Sequence, residues 1–481
     1  MIDFLNDLLW GKVLIVVLVA VGLLFATASK FVQFRDFGQM FAIMGQATHH
    51  ESGGHLSSFQ ALVLSVAGRV GAGNIAGVAV AITLGGPGAV FWMWMVGLVG
   101  MSTSFFECTL AQVFKNAEPG GTYRGGPAYY IQRGLQLRWL SSLFSVLLLV
   151  TFGFSFNALQ SYTVAASLND TFGISPQITG LILLAVMGVT IFGGVKRIAE
   201  VAEFVVPIMA VGYFLMAMFI IVTSLGSIPS VFALIFKSAF GLQQAVGGGI
   251  GSAIIFGVKR GLFSNEAGLG SAPNVAAVAY VKHPVNQGIV QAFGVFIDTI
   301  VLCSCTAAII LLSTVYEPGT DIGGITMTQA AMAEHVGEWG RAFVTIALVL
   351  FAFTSMIYNY YLGENSLNFF SEETKALFTG LRILPLTLIV WGASQDLGTL
   401  FGFADVTMGF LALVNLVALV LLFKVGLRVM RDFDQQIKSG VAQPVFDARK
   451  FPELNLDPEA WLLDEPSVPA MATASSETQM P

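Results

Sequence analysis

The run VLIVVLVAVGLLFATA at residues 13–28 holds no charged side chain, and runs like it recur along the chain. About 20 apolar residues are what a helix needs to cross roughly 30 Å of hydrocarbon. The runs do not alternate with period two, so they do not suit the strands of a membrane barrel. Of 481 residues, 55% are hydrophobic and 11% are charged, against roughly 25% charged in soluble domains. The mean hydropathy is +0.77. The chain therefore reads as an all-α polytopic membrane protein. Its 52 glycines fit closely packed helices in lipid.

Eleven apolar segments can be marked, near 13–33, 58–86, 88–113, 140–166, 176–194, 202–225, 244–280, 287–313, 341–365, 377–393 and 399–424. The first has an acidic rather than a basic lead-in and no convincing cleavage site, so it reads as a retained span. The seventh is too long and too polar for one continuous helix. The last fifty residues lose the periodicity and gain Pro, Ser, Thr and acids, which reads as a solvated tail. Cys108, Cys303 and Cys305 lie in apolar runs and read as small packing residues. The five histidines form no metal-ligand pattern, and His49, His50 and His55 share one polar loop. No basic cluster points to nucleic acid; the partner read directly from the chain is the lipid bilayer.

Orientation follows from loop cations. With the N-terminus outside, the inner loops hold Lys30, Arg35, Lys115, Arg124, Arg133, Arg138, Lys196, Arg197, Lys282 and Lys375, and the outer segments hold Lys12, Lys237 and Arg341. Ten against three favours an external N-terminus and a cytoplasmic C-terminus. Arg69, Lys259, Arg260 and Arg382 are left within apolar segments.

The stretch GRVGAGNIAGVA at 68–79 fits G-x-G-x-x-A, the dinucleotide-binding fingerprint. That fingerprint needs a preceding strand and a soluble sheet, and here it lies in a membrane span. A second stretch, RGLFSNEAGLG at 260–270, repeats its pattern R-x4-N-x-A-G. The two are five spans apart and run in opposite directions. This is the trace of an inverted repeat, in which corresponding helices are interrupted near the midplane and free backbone groups hold substrate and ions. The implied division is 1–57 for an external N-terminal segment, an extra span and a cytoplasmic loop. Residues 58–225 and 226–424 form two five-helix repeats, and 425–481 a cytoplasmic, largely disordered tail.

Longer stretches carry a family resemblance. They are GAGNIAGVAVAITLGGPGAVFWMWMVGLVGM (71–101), GGPAYYIQRGL (125–135), GGVKRIAEVAEFVVP (193–207) and KRGLFSNEAGLGSAP with HPVNQG and GVFIDT (259–299). From about Phe59 to Glu364 the chain resembles the alanine or glycine:cation symporters of bacteria and archaea. The resemblance implies a leucine-transporter-like fold: a 5+5 inverted repeat behind one extra N-terminal helix. It also implies sodium- or proton-coupled uptake of a small neutral amino acid, in a bacterial inner membrane, with no covalent cofactor.

By the same resemblance, the amides of Gly71, Ala72 and Gly73 would face the substrate carboxylate. Asn74 would contact substrate or ion, and Gln160 would lie at the substrate. Phe263 and Asn265 belong to the partner break. Backbone carbonyls near Ala67 and Val70, with the hydroxyls of Thr354 and Ser355, resemble a sodium site. Where the family has small residues and then Trp, this chain has Tyr358 and Asn359; Asn359 could bond a side-chain amide, so glutamine competes with alanine. Arg69 is a fixed cation that Glu107, Glu266 or Asp298 would have to neutralise. Glu266 reads as a gate, an ion-coupling group, or a salt-bridge partner of Arg69 or Arg260. A channel or uniporter would need no ion gradient. An intramembrane enzyme would need a His-Glu, Ser-His or paired-Asp pattern within the spans, and the sequence shows none.

Overall fold

The computed structural model describes residues 1–47, 56–118, 122–191, 194–241, 249–317, 323–370 and 375–461. His49, His50 and His55 lie outside these. Each of the eleven apolar segments carries helix. Among the described residues, seven helices are long and apolar enough to cross a membrane: Ile2–Ala28, Gly88–Val113, Arg138–Phe172, Phe204–Thr223, Pro284–Leu311, Glu338–Phe370 and Leu397–Lys438. An eighth span is the bent pair Ser58–Arg69 and Gly73–Gly85, which turns by 52° at its break. Pro176–Ile191 and Arg382–Ala393 are shorter.

The seventh segment is indeed two pieces. Gly249–Asn265 ends at Glu266, a non-glycine residue with φ of 56°, and Ala272–Ala276 follows. A single left-handed residue stops a helix because the next N–H no longer points along its axis. Gly268 and Gly270, at φ of 90° and 81°, carry the chain through the gap, where a side chain on the backbone would be strained. The sequence echo thus marks both breaks, but with an offset. In the first broken span the break precedes Asn74, and in the second it follows Asn265.

The helix Gly88–Val113 is the hub of the core, and Gly249–Asn265 and Pro284–Val295 pack along it. Small residues set that approach: a Cβ on Gly257 would lie 2.5 Å from the Ala89 carbonyl oxygen, and one on Gly288 2.7 Å from that of Phe105. The N-terminal helix begins at Ile2, earlier than the apolar run suggests, and its Trp10 indole donates to the Asp405 carbonyl oxygen at 3.1 Å.

Two features depart from the sequence reading. A short antiparallel hairpin, Asn116–Glu118 with Thr122–Arg124, interrupts the all-helical pattern. The tail read as largely unstructured is folded through Trp461. The last helix continues to Lys438, and Phe446, Phe451 and Trp461 are buried. The Trp461 indole donates to the Val113 carbonyl oxygen at 3.2 Å, and the Phe446 amide to that of Lys282 at 2.9 Å. The ammonium of buried Lys115 lies 4.5 Å from the Trp461 ring and 3.9 Å from the Tyr123 ring. Three aromatics spaced too irregularly for helical periodicity anchor the segment, which is why its pattern read as loop.

Candidate functional site

The first break opens where Val70 leaves the helix, with ψ of 95°. Continuing the helix would bond each amide to the carbonyl four residues back. Here the Gly71 amide instead donates to Asn74 Oδ1 at 3.0 Å, and the Ala72 amide to Gln160 Oε1 at 3.0 Å. The walls stand close. A Cβ on Gly71 would lie 2.5 Å from Ser355 Oγ and 2.6 Å from Gln160 Nε2. One on Gly73 would lie 3.2 Å from the Phe263 ring, which packs edge-on to Phe156 with centroids 4.9 Å apart. Gly71, Ala72, Gly73, Gln160, Ser355 and Phe263 therefore converge on one backbone opening.

The proposed sodium ligands are only partly assembled. Ser355 Oγ lies 3.2 Å from the carbonyl oxygens of both Ala67 and Val70. Ser355 Oγ also lies 3.0 Å from the Phe351 carbonyl oxygen of its own helix, and Thr354 donates only within that helix, to Leu350 and Phe351.

Asn74 is fully engaged. Its amide nitrogen donates to Asp298 Oδ1 at 2.7 Å and to Ser264 Oγ at 3.1 Å, and its carbonyl accepts from Thr306 at 2.7 Å. Asp298 Oδ2 accepts from Ser264 and Thr299. This cluster joins the first broken span, the second, and the helix Pro284–Leu311. Asn265 stands apart from Gln160 and Ser355 in its bonding: its Oδ1 accepts from the Ala267 amide and so caps its own break. Asn359 donates to Asn157 Oδ1 at 3.3 Å, one helical turn from Ser355.

The cations find other partners than those foreseen. Arg260 and Lys259 share Asp405 Oδ2, at 2.5 and 3.2 Å, and Arg260 lies 4.2 Å from the Phe401 ring. Glu266 is thus not the partner of Arg260. Nor is it ion-paired with Arg69, which donates to Ser104 Oγ and the Gln291 carbonyl oxygen and makes no ion pair among the described residues. Glu107 accepts from the Gly268 amide and from Asn415, whose Oδ1 meets the Tyr130 hydroxyl. Asp405, Asn415 and Phe156 were missed by sequence reasoning. A lone Asp in the last span, FADVT, was the available signal for Asp405, since two cations at 259–260 lacked an anion.

Comparison with known proteins identifies the fold and the family. The backbone matches a mutant of the Eremococcus coleocola manganese transporter with a TM-score of 0.50 and 13% identity, over 79% of this chain and 80% of that one. At that identity the likeness is one of fold. The architecture is leucine-transporter-like, with a broken helix in each half and an extra helix at the N-terminus. The amino-acid carrier protein AlsT of Bacillus subtilis is 45% identical, over 96% of this chain and 97% of its own. The "Probable sodium/glutamine symporter GlnT" of the same species is 47% identical over 92% and 91%. The sodium/proton-dependent alanine carrier protein of Bacillus sp. PS3 is 39% identical over 82% and 92%. The model of the sodium:alanine symporter family matches residues 1–448. This multi-pass membrane protein belongs to the sodium:alanine symporter family.

Proposed function

We propose that the protein imports a small neutral amino acid, alanine or glycine first, together with sodium by alternating access. Its setting would be a bacterial inner membrane, with the N-terminus outside and the C-terminus in the cytoplasm. The observation that carries this reading is the Ser355 hydroxyl set 3.2 Å from the Ala67 and Val70 carbonyl oxygens, directly beside the opened backbone at Gly71. Carbonyls and hydroxyls are hard oxygen donors suited to an alkali cation, and freed amides suit a carboxylate. In this reading Gln160 Oε1, which accepts from the Ala72 amide, stands in for a substrate carboxylate oxygen until substrate displaces it.

A sodium gradient is expected to drive alanine or glycine accumulation in proteoliposomes. Uptake that ignores sodium and proton gradients alike would remove the coupling. Glutamine is the second reading, favoured by the Asn157–Asn359 amide pair one turn from Ser355 and by the glutamine name of one relative. Sodium-dependent thermal stabilisation by a panel of amino acids ranks these substrates.

Asn74→Ala and Gln160→Ala are expected to abolish uptake while leaving membrane insertion intact. Asn74→Ala strands the Gly71 amide and an Asp298 oxygen, each costing about 1–3 kcal/mol when buried without a partner. Normal uptake by both variants would refute the site.

A further inference from the structure

Glu107, Glu266 and Asp298 each lie within electrostatic reach of Arg69 in the membrane core, and Glu266 within reach of both other carboxyls. Arg69 is buried, its Nε has no hydrogen-bond partner, and it makes no ion pair among the described residues. With every carboxyl ionised, three negative charges would face one positive charge in a dry interior. Such an imbalance is not sustained without a proton or another cation.

Hydrogen-bond chemistry says which carboxyl takes the proton. Glu107 meets the Gly268 amide on one oxygen and the Asn415 amide nitrogen on the other, at 3.1 and 3.0 Å. Neither N–H can accept, so these contacts favour the carboxylate. Asp298 accepts from Asn74 on Oδ1 and from two hydroxyls on Oδ2. With an N–H on one oxygen and two hydroxyls on the other, Asp298 has three donors to hold its charge. Glu266 differs. Its one hydrogen-bond partner is the Ser271 hydroxyl, 2.5 Å from Oε2. A hydroxyl donates to a carboxylate and accepts from a carboxylic acid equally well.

A second observation points into the same place. The buried Tyr358 hydroxyl, from the helix Glu338–Phe370, stands against Ser271 and Glu266 without closing a well-formed hydrogen bond among the described residues. The groups facing Glu266 are therefore Arg69, Glu107, Asp298, Tyr358 and Ser271, with Cys108 and Tyr130 behind Glu107. Glu266 is also the left-handed residue at the second break. Any rearrangement of that break swings its carboxyl, which ties its protonation to the transport cycle.

We propose that the Glu266 carboxyl is a proton site separate from the Ala67, Val70 and Ser355 oxygens, so that each import cycle is proton-linked as well as sodium-coupled. The carboxylate takes a proton from external water while the carrier faces outward. The acid returns it to cytoplasmic water when the carrier faces inward, with no bond to carbon made or broken. This rests on the symport reading above.

The test uses the full chain in proteoliposomes with L-alanine, sodium equal on both sides and the voltage clamped at zero. An inward proton gradient should then accumulate alanine severalfold in the wild type and not in Glu266→Gln. Counterflow without gradients should vary with pH by up to about tenfold per unit on its titrating limb, and Glu266→Gln should flatten that profile. Ser271→Ala, which keeps the carboxyl and removes its partner, should move the midpoint by about half a unit or more. A wild type that accumulates alanine on sodium but ignores protons overturns the proposal and leaves the symport reading standing. An unmoved midpoint in Ser271→Ala, or an unflattened profile in Glu266→Gln, also overturns it. Absence of both counterflow and sodium-driven uptake overturns both readings.

Discussion

Replacing Asp405 with leucine is expected to cost the protein roughly 3–5 kcal/mol, the usual penalty for breaking a buried ion pair from one side. Asp405 is the shared anion of Lys259 and Arg260, both nearly enclosed. Without it, two cations face the aromatic rings of Trp10, Phe263 and Phe401 with no counter-charge. The cation–ring contacts supply only about 0.5–2 kcal/mol each and cannot offset two stranded charges. Thermal unfolding in detergent, followed by intrinsic fluorescence, measures the loss. The triple change Lys259→Met, Arg260→Met, Asp405→Leu should recover most of it, because an apolar cluster of similar volume replaces a charged one. A single Asp405→Leu variant as stable as the wild type would show that another anion serves these cations.

Gly71→Val should silence transport without unfolding the protein. Its first added carbon would arrive 2.5 Å from Ser355 Oγ and 2.6 Å from Gln160 Nε2, on the two walls that meet the opened backbone. Overpacking of this kind costs on the order of 1–3 kcal/mol, which is roughly 5- to 150-fold when the strain falls on a binding equilibrium. The branches on Val exceed what Ala would introduce and push the helix Glu338–Phe370 away from the Ala67 and Val70 carbonyls. Substrate-dependent thermal stabilisation and uptake should fall together. Uptake within a factor of about two of wild type would place the substrate elsewhere.

The spans were legible because lipid imposes a strong rule: unbroken apolar runs must be helices. The two breaks were legible because Gly, Asn and the repeated R-x4-N-x-A-G stand out against those runs. Partner choice was not. Arg260 and Asp405 are 145 positions apart, and nothing in either local stretch names the other. Thr354 and Ser355 are adjacent letters with equal claims on an ion. A rotation of about 100° per residue puts one hydroxyl within reach of Ala67 as well as of its own helix, and leaves the other on its own helix alone. Asn74 and Asn265 occupy matching places in the echo, yet one bridges helices and the other caps a turn. The repeat marks each break only to within a few residues, and the side chains that line it come from the unrelated surroundings of each half.

The bonding of Asn74 bears on leakage. One amide closes the first break onto Gly71 and also grips Ser264 beside the second break and Asp298 on a neighbouring helix. Moving the first break away from Ser264 and Asp298 would strand several buried donors and acceptors at once, at about 1–3 kcal/mol for each. Asn74 thus ties the first break to the helix that leads into the second, and moving one away from the other carries that penalty. On the symport reading proposed above, this one hydrogen-bonded knot is what would keep the driving ion from slipping across without cargo.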